Sequence, residues 1–168
     1  MTVSTFDCFL LAATFLVTTV FGEMLVFATV IMPGIAKLPD GDYLRAFQVI
    51  DGVIQANQPI FVAVWIGSVI SLVVATGLGW SELSQNEGHR AGLLLAMIAY
   101  LVTQVTTFGI NVPLNNRVKE LQVANLDTKS KQEERARFEA SWTFWNWFRV
   151  IPMGMVSLYL TYLLLIVE

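Results

Sequence analysis

Hydrophobic and polar positions in this chain are sorted into long blocks. Four apolar runs stand out, roughly residues 6–32, 60–80, 91–112 and 150–167, the last extended upstream by aromatic residues. About 20 apolar residues suffice to cross the hydrocarbon of a bilayer. Lipid offers backbone groups no water, so a spanning run must be a helix or part of a closed barrel. These runs are continuous and do not alternate with period two, which argues against a barrel. The pattern predicts an all-α fold: an integral membrane four-helix bundle formed by residues 1–168 as a single domain.

Between the runs the pattern turns amphipathic. In PDGDYLRAFQVIDGVIQANQP, Tyr43, Phe47, Ile50 and Ile54 recur at helical spacing. Gln48, Asp51 and Gln55 form a polar stripe beside them. Asp40 or Asp42 would cap this helix, and Pro59 would start the next. Beyond Pro113, Leu114, Val118 and Leu121 mark a second amphipathic helix, which NLDTKS breaks. Ser130 and Glu133 then have capping-box spacing, so a further helix is expected from about Lys131 into the fourth span, kinked near Pro152. Both long loops are thus expected to carry amphipathic interfacial helices.

Composition supports the bilayer as partner. Of 168 residues, 55% are hydrophobic and 14% charged, and mean hydropathy is +0.63, an apolar excess beyond what a soluble domain of this size hides. A net charge of −3 provides no basic surface for nucleic acid. Cys8 and His89 are the sole residues of their types, so neither a disulfide within the chain nor a His- or Cys-rich metal or haem site is expected, and no cofactor is called for. MTVSTFDCF carries Asp7 and no basic residue, so the first run reads as a retained helix and not a signal peptide. Nine of the ten Lys and Arg residues flank one side of the spans, from Lys37 and Arg45 to Arg149; Arg90 stands alone on the other. The positive-inside rule then places both termini outside and both long loops in the cytoplasm of a plasma (inner) membrane.

Polar residues inside the spans are the candidates for chemistry. An ionised Glu23 would cost about 3 kcal/mol on insertion scales, so it should face the bundle, either as a packing hydrogen bond or as a working acid or base. Gln104, Phe108 and Asn111 recur at i, i+4 and i+7, and Asn115 continues that face if the helix persists through Pro113. Otherwise Asn111 caps a new helix, and Asn115 and Asn116 are solvated. In the fourth helix Trp142, Trp145, Asn146 and Arg149 share one face, while Phe144, Trp147 and Phe148 share the other as an aromatic belt would. Arg149 needs an anionic partner, for which Glu23 and Asp51 are the candidates, or a route to headgroup phosphates.

NVPLNN followed by RFEASWTFWNWFR resembles the anthrone oxygenase-like family of small membrane proteins. Its pattern runs N-x-P-x-N, a charged helix, then an R-[FW]-x-x-x-W-x-x-W-N-x-x-R run. Here these are Asn111, Pro113 and Asn115, then Arg137, Phe138, Trp142, Trp145, Asn146 and Arg149. MPGIAKLP and FQVIDGVIQANQPIF also fit, although the family often has Asn where this chain has Asp51. The resemblance implies a four-span bundle. In characterised members of polyketide pathways it implies oxidation of an anthrone to an anthraquinone with O₂, without metal or flavin.

Such chemistry suits the residues. Glu23 is the first choice of base, and a buried carboxyl has its pKa raised towards the range where a general base works best. Asn111, Asn115, Asn146 and Arg149 could hold the oxyanion. Trp142 and Trp145 could stack a lipophilic, polycyclic aromatic substrate, with Gln104, Gln48, Asp51 and Gln55 as further contacts. Two other classes stay open: a small membrane transporter, and a non-enzymatic lipid- or lipophile-binding protein. Self-association is equally open. The topology is directly testable. In a Cys8→Ala background, an impermeant thiol reagent applied to intact cells should label Asn86→Cys and spare Lys129→Cys; the converse would invert the orientation.

Overall fold

The computed structural model describes residues 3–166. Five helices make up the fold: α1, Thr5–Ile35; α2, Asp40–Gln55; α3, Pro59–Glu82; α4, Glu87–Glu120; and α5, Thr128–Ile166. All but α2 are long and apolar enough to cross a membrane. Among the described residues there is no strand. The expected end of the fourth span at Val167 lies outside the described residues.

Local chemistry sets the helix starts. Ser4 and Asp7 form a reciprocal capping box on α1. The reversal into α3 places Asn57 in the left-handed region, at φ 58°, which Asn tolerates better than most residues. Gln58 then accepts from the Phe61 N–H, with Pro59 in the first turn. Asn86 caps α4 by accepting from the His89 N–H. Two starts differ from expectation. Helix α5 begins at Thr128, because Asp127 accepts from the Ser130 N–H at 2.7 Å and so caps it ahead of Ser130. In α2 Pro39 is the cap, and the Asp40 carboxylate is taken by Arg135.

Helices α1 and α4 run through their prolines. In each, one π turn precedes the proline by two residues: Phe27–Ile31 before Pro33, and Thr107–Asn111 before Pro113. The amides of Met32 and Val112 donate five residues back, to the carbonyls of Phe27 and Thr107. Proline has no N–H, and its ring collides with the carbonyl four residues earlier; the wider turn gives that ring room. Asn111 therefore sits mid-helix with no capping bond. The separate amphipathic helix expected after Pro113 is the end of α4, followed by a 3₁₀ turn at Val123–Asn125.

Packing divides the molecule in two. Within the bundle, Phe6, Leu10, Val17, Leu72, Leu93, Met153 and Leu160 bury together from all four long helices. At Gly92 the chain approaches α5 so closely that a Cβ would lie 2.2 Å from the Tyr159 hydroxyl, so this end is shut. Facing outwards are Leu11, Phe15, Ile70, Leu95, Val105, Leu158 and Leu165, an apolar coat that suits lipid and not water. A second core lies at the opposite end. There Tyr43, Leu44 and Phe47 of α2 pack on Met32, Val118, Val123, Phe138 and Trp142.

Arg135 ties this second core together. It donates to the carbonyls of Ala36 and Leu38 at 2.7 and 2.9 Å, to Asp40 at 3.1 Å and to Glu139 at 2.8 Å. Its guanidinium also lies 4.5 Å from the centre of the Tyr43 ring. Gln48 adds a second tie, donating to the carbonyls of Val118 and Leu121 as α4 ends. Arg135→Ala should cost about 2 kcal/mol, the scale for losing charged hydrogen bonds and stranding their acceptors. Thermal unfolding in detergent micelles checks this, and an unchanged midpoint would show that the clamp does not hold α2.

Candidate functional site

Where α2 closes the bundle, an apolar cavity of about 280 Å³ remains, at the small end for ligand pockets. Every helix contributes to its wall. Phe27, Phe47, Ile54, Phe61, Trp65 and Trp142 are among its apolar lining residues. Five polar side chains stand out against them: Asp51, Thr107, Asn111, Asn115 and Arg149.

The π turn in α4 brings two of these inward. It adds a residue to the turn and so rotates the rest of the helix about its axis. Thr107 and Asn111 are buried, Asn115 faces the cavity, and Phe108 is 64% exposed. The expected stripe of Gln104, Phe108 and Asn111 is broken for this reason. Gln104 remains buried one turn back, where it donates to the hydroxyl of Thr103 and does not line the cavity.

Two hydrogen-bonded groups result. In one, Trp142 Nε1 donates to Asn115 Oδ1 at 2.8 Å, and Asn115 Nδ2 donates to Asp51 Oδ1 at 2.7 Å. Gln55 donates to the other Asp51 oxygen. Burial raises the Asp51 pKa from its ordinary value, while the bonds from Gln55 and Asn115 pull it back. In the other group, Arg149 donates to Thr107 Oγ1 at 2.9 Å and to Asn146 Oδ1 at 2.8 Å. Asn146 in turn donates to the Met24 carbonyl at 3.3 Å. Arg149 is 3% exposed, yet among the described residues it makes no ion pair with a carboxylate. Its Nε has no partner, and neither does the oxygen or the nitrogen of the Asn111 amide.

A buried guanidinium normally meets a carboxylate, since an unpaired buried charge is costly. Here neutral oxygens hold it in place while its charge stays uncompensated. Together with the free Asn111 amide, this makes a wall suited to a ligand oxygen that carries negative charge. A family model described as anthrone oxygenase matches residues 55–158, more than half of the chain. The chain belongs to the anthrone oxygenase family. The match covers Asn111, Asn115, Trp142, Asn146 and Arg149, whereas Asp51 lies just before it. No curated protein and no solved structure matches the chain.

In this anthrone oxygenase family member, the residues singled out from sequence divide into three sets. Asp51, Asn111, Asn115, Trp142 and Arg149 line the cavity. Asn146 and Gln55 stand behind it and hold Arg149 and Asp51. Glu23, Gln48, Gln104 and Trp145 do not line it. Glu23 is half-buried in α1, with one carboxylate oxygen shielded and unbonded. Trp145 packs against Phe144 and Phe148 with the aromatic belt, because its place on α5 is at the edge of the Trp142 face. Neither carboxylate proposed for Arg149 reaches it. Thr107, Trp65 and Phe47 escaped sequence reasoning. Thr107 stands four residues before Asn111, a spacing that already places the two on one helix face.

If Arg149 serves a ligand and not the fold, removing its charge should be tolerated. Arg149→Met is expected to unfold within about 1 kcal/mol of the wild type, or above it, because an apolar side chain avoids the desolvation that a buried charge suffers. Thermal unfolding in micelles tests this. A loss above about 3 kcal/mol, the scale for breaking a buried ion pair, would make Arg149 structural.

Proposed function

We propose that the cavity binds a flat, lipophilic aromatic ketone of the anthrone type and oxidises it with O₂. One observation carries the proposal: Arg149, buried and without a carboxylate, beside an unpartnered Asn111 on the wall of an otherwise apolar cavity. Such a ketone becomes acidic at its doubly benzylic CH₂ once the carbonyl oxygen accepts negative charge. Arg149 and Asn111 are the donors available for that enolate oxygen, already held in position and shielded from water. Asp51 is the carboxylate on the cavity wall and takes the proton. Glu23, the first choice from sequence, does not line the cavity.

The balance closes with O₂ as the oxidant. Asp51 removes one C–H proton, leaving the enolate. The enolate gives an electron to O₂, and the resulting radical and superoxide combine into a C–O bond. The distal peroxide oxygen takes back the proton from Asp51. Loss of the second C–H proton then forms the C=O while the O–O bond breaks. One oxygen stays in the quinone and the other leaves as water. The CH₂ supplies all four electrons.

Asn115 would act through Asp51 as a positioning residue, since it donates to that carboxylate and is itself held by Trp142. Asn at position 51, frequent in the family this chain resembles, would keep the link to Asn115 but take no proton.

The assay is O₂ consumption in proteoliposomes, with autoxidation of the anthrone subtracted. The rate should rise with pH as Asp51 ionises, with an acid limb at higher pH than a free aspartate would give. Asp51→Asn should abolish that limb and slow turnover by about 10²-fold. Asn115→Ala should move the limb to higher pH, because it removes a bond that favours the ionised form. Glu23→Gln should turn over at the wild-type rate. A slow Glu23→Gln with an unchanged Asp51→Asn would transfer the base role to Glu23. A wild-type rate no greater than autoxidation would leave a binding or transport function as the better reading.

A further inference from the structure

The cavity has an opening, and its position identifies the medium on the other side. Fourteen of its sixteen lining residues are buried or half-buried. The remaining two, Ile66 and Phe108, are 53% and 64% exposed. Ile66 is on α3 and Phe108 on the π turn of α4, so the gap lies between these two helices. Both residues fall inside apolar runs, 60–80 and 91–112. Their neighbours Ile70 and Val105 are exposed as well, at 55% and 72%. Apolar side chains surround the gap, and the wall away from it is buried or half-buried. Asp51, Phe47 and Trp142 bury the α2 side, and the Ser68–Tyr100 hydrogen bond joins α3 to α4 above the gap.

We propose that the cavity is loaded and emptied sideways, from the hydrocarbon of the bilayer, through a mouth between α3 and α4 formed by Ile66 and Phe108. This inference builds on the oxygenase reading and adds the route to it. A flat aromatic ketone concentrates in hydrocarbon, as O₂ does, so both reactants wait outside this mouth. The quinone product, also apolar, leaves the same way. No stretch of the route passes through water, and Arg149 is therefore approached without being solvated. The π turn has a second consequence here: by swinging Phe108 outwards and Asn111 inwards it makes the door and the binding wall from one stretch of backbone.

Two measurements test this separately. Phe108→Cys in a Cys8→Ala background takes a nitroxide label, and the protein is placed in phosphatidylcholine vesicles. Power-saturation EPR should show frequent collisions with O₂ and few with a water-soluble nickel chelate. Free access of the nickel chelate would place the mouth in water and overturn the proposal, whatever the substrate is. The second measurement is stopped-flow binding of 1,8-dihydroxyanthraquinone dissolved in the vesicles. Ile66→Trp combined with Phe108→Trp should slow both association and dissociation by about tenfold and leave the equilibrium affinity within about threefold, as narrowing a gate does. Unchanged rates at unchanged affinity would mean entry elsewhere and would also overturn it. No binding of the quinone by the wild type would sink the proposed substrate class, and the nitroxide would still decide where the mouth opens.

Discussion

Two prolines shape this molecule more than any single contact. Pro33 and Pro113 lie where spanning helices leave the apolar runs, and an α-helix cannot pass a proline without losing a hydrogen bond and crowding a carbonyl. One answer would be to stop and recap, as the sequence around Asn111 invites. The structure instead widens one turn ahead of each proline and continues. Continuation of α4 carries Asn115 to Asp51 and Val118 into the second core. Continuation of α1 carries Met32 into the same core and brings the carbonyls of Ala36 and Leu38 to Arg135. Had either helix ended early, α2 would have kept α5 as a partner but lost part of the surface it closes against.

The turn does more than extend the helix. An extra residue in one turn rotates everything after it, so residues that share a face on paper separate in space. Phe108 points outwards and Asn111 inwards, while Thr107, where the turn begins, gives its hydroxyl to Arg149. Such turns leave no mark in composition or hydropathy. This is why the spans were legible in the sequence and part of the site was not. Twenty apolar residues report their own length, but how residue 111 points relative to residue 108 depends on a hydrogen bond between Val112 and Thr107.

Glu23 illustrates a different limit. Its cost in lipid can be read from sequence, and cost alone made it the leading base. Cost does not say what a side chain faces. Asp51 was visible as one member of a polar stripe with Gln48 and Gln55, a stripe that equally describes a solvated surface. The structure divides that stripe by neighbour: Gln48 binds the carbonyls at the end of α4, Gln55 binds Asp51, and Asp51 alone lines the cavity. The pairing of Asn115 with Trp142 joins two motifs 27 residues apart. The resemblance had placed them in one pattern without giving the reason.

The division of packing bears on how a site of this kind survives in a small bundle. An uncompensated guanidinium, a free amide and an empty apolar volume all work against folding. They are gathered at one end. The other end is shut by contacts as close as Gly92 on Tyr159, with Leu10, Leu160 and Leu163 fully buried beside it. Between the cavity and the loops stands the second core, whose Phe47, Phe138 and Trp142 rings meet edge-on or tilted at 4.4 to 6.3 Å. Trp142 belongs to both parts, with its ring in that core and its N–H on Asn115. The apolar packing that holds α2 in place therefore also fixes the amide that orients Asp51. A change in that core would reach Asp51 and the cavity wall through this indole.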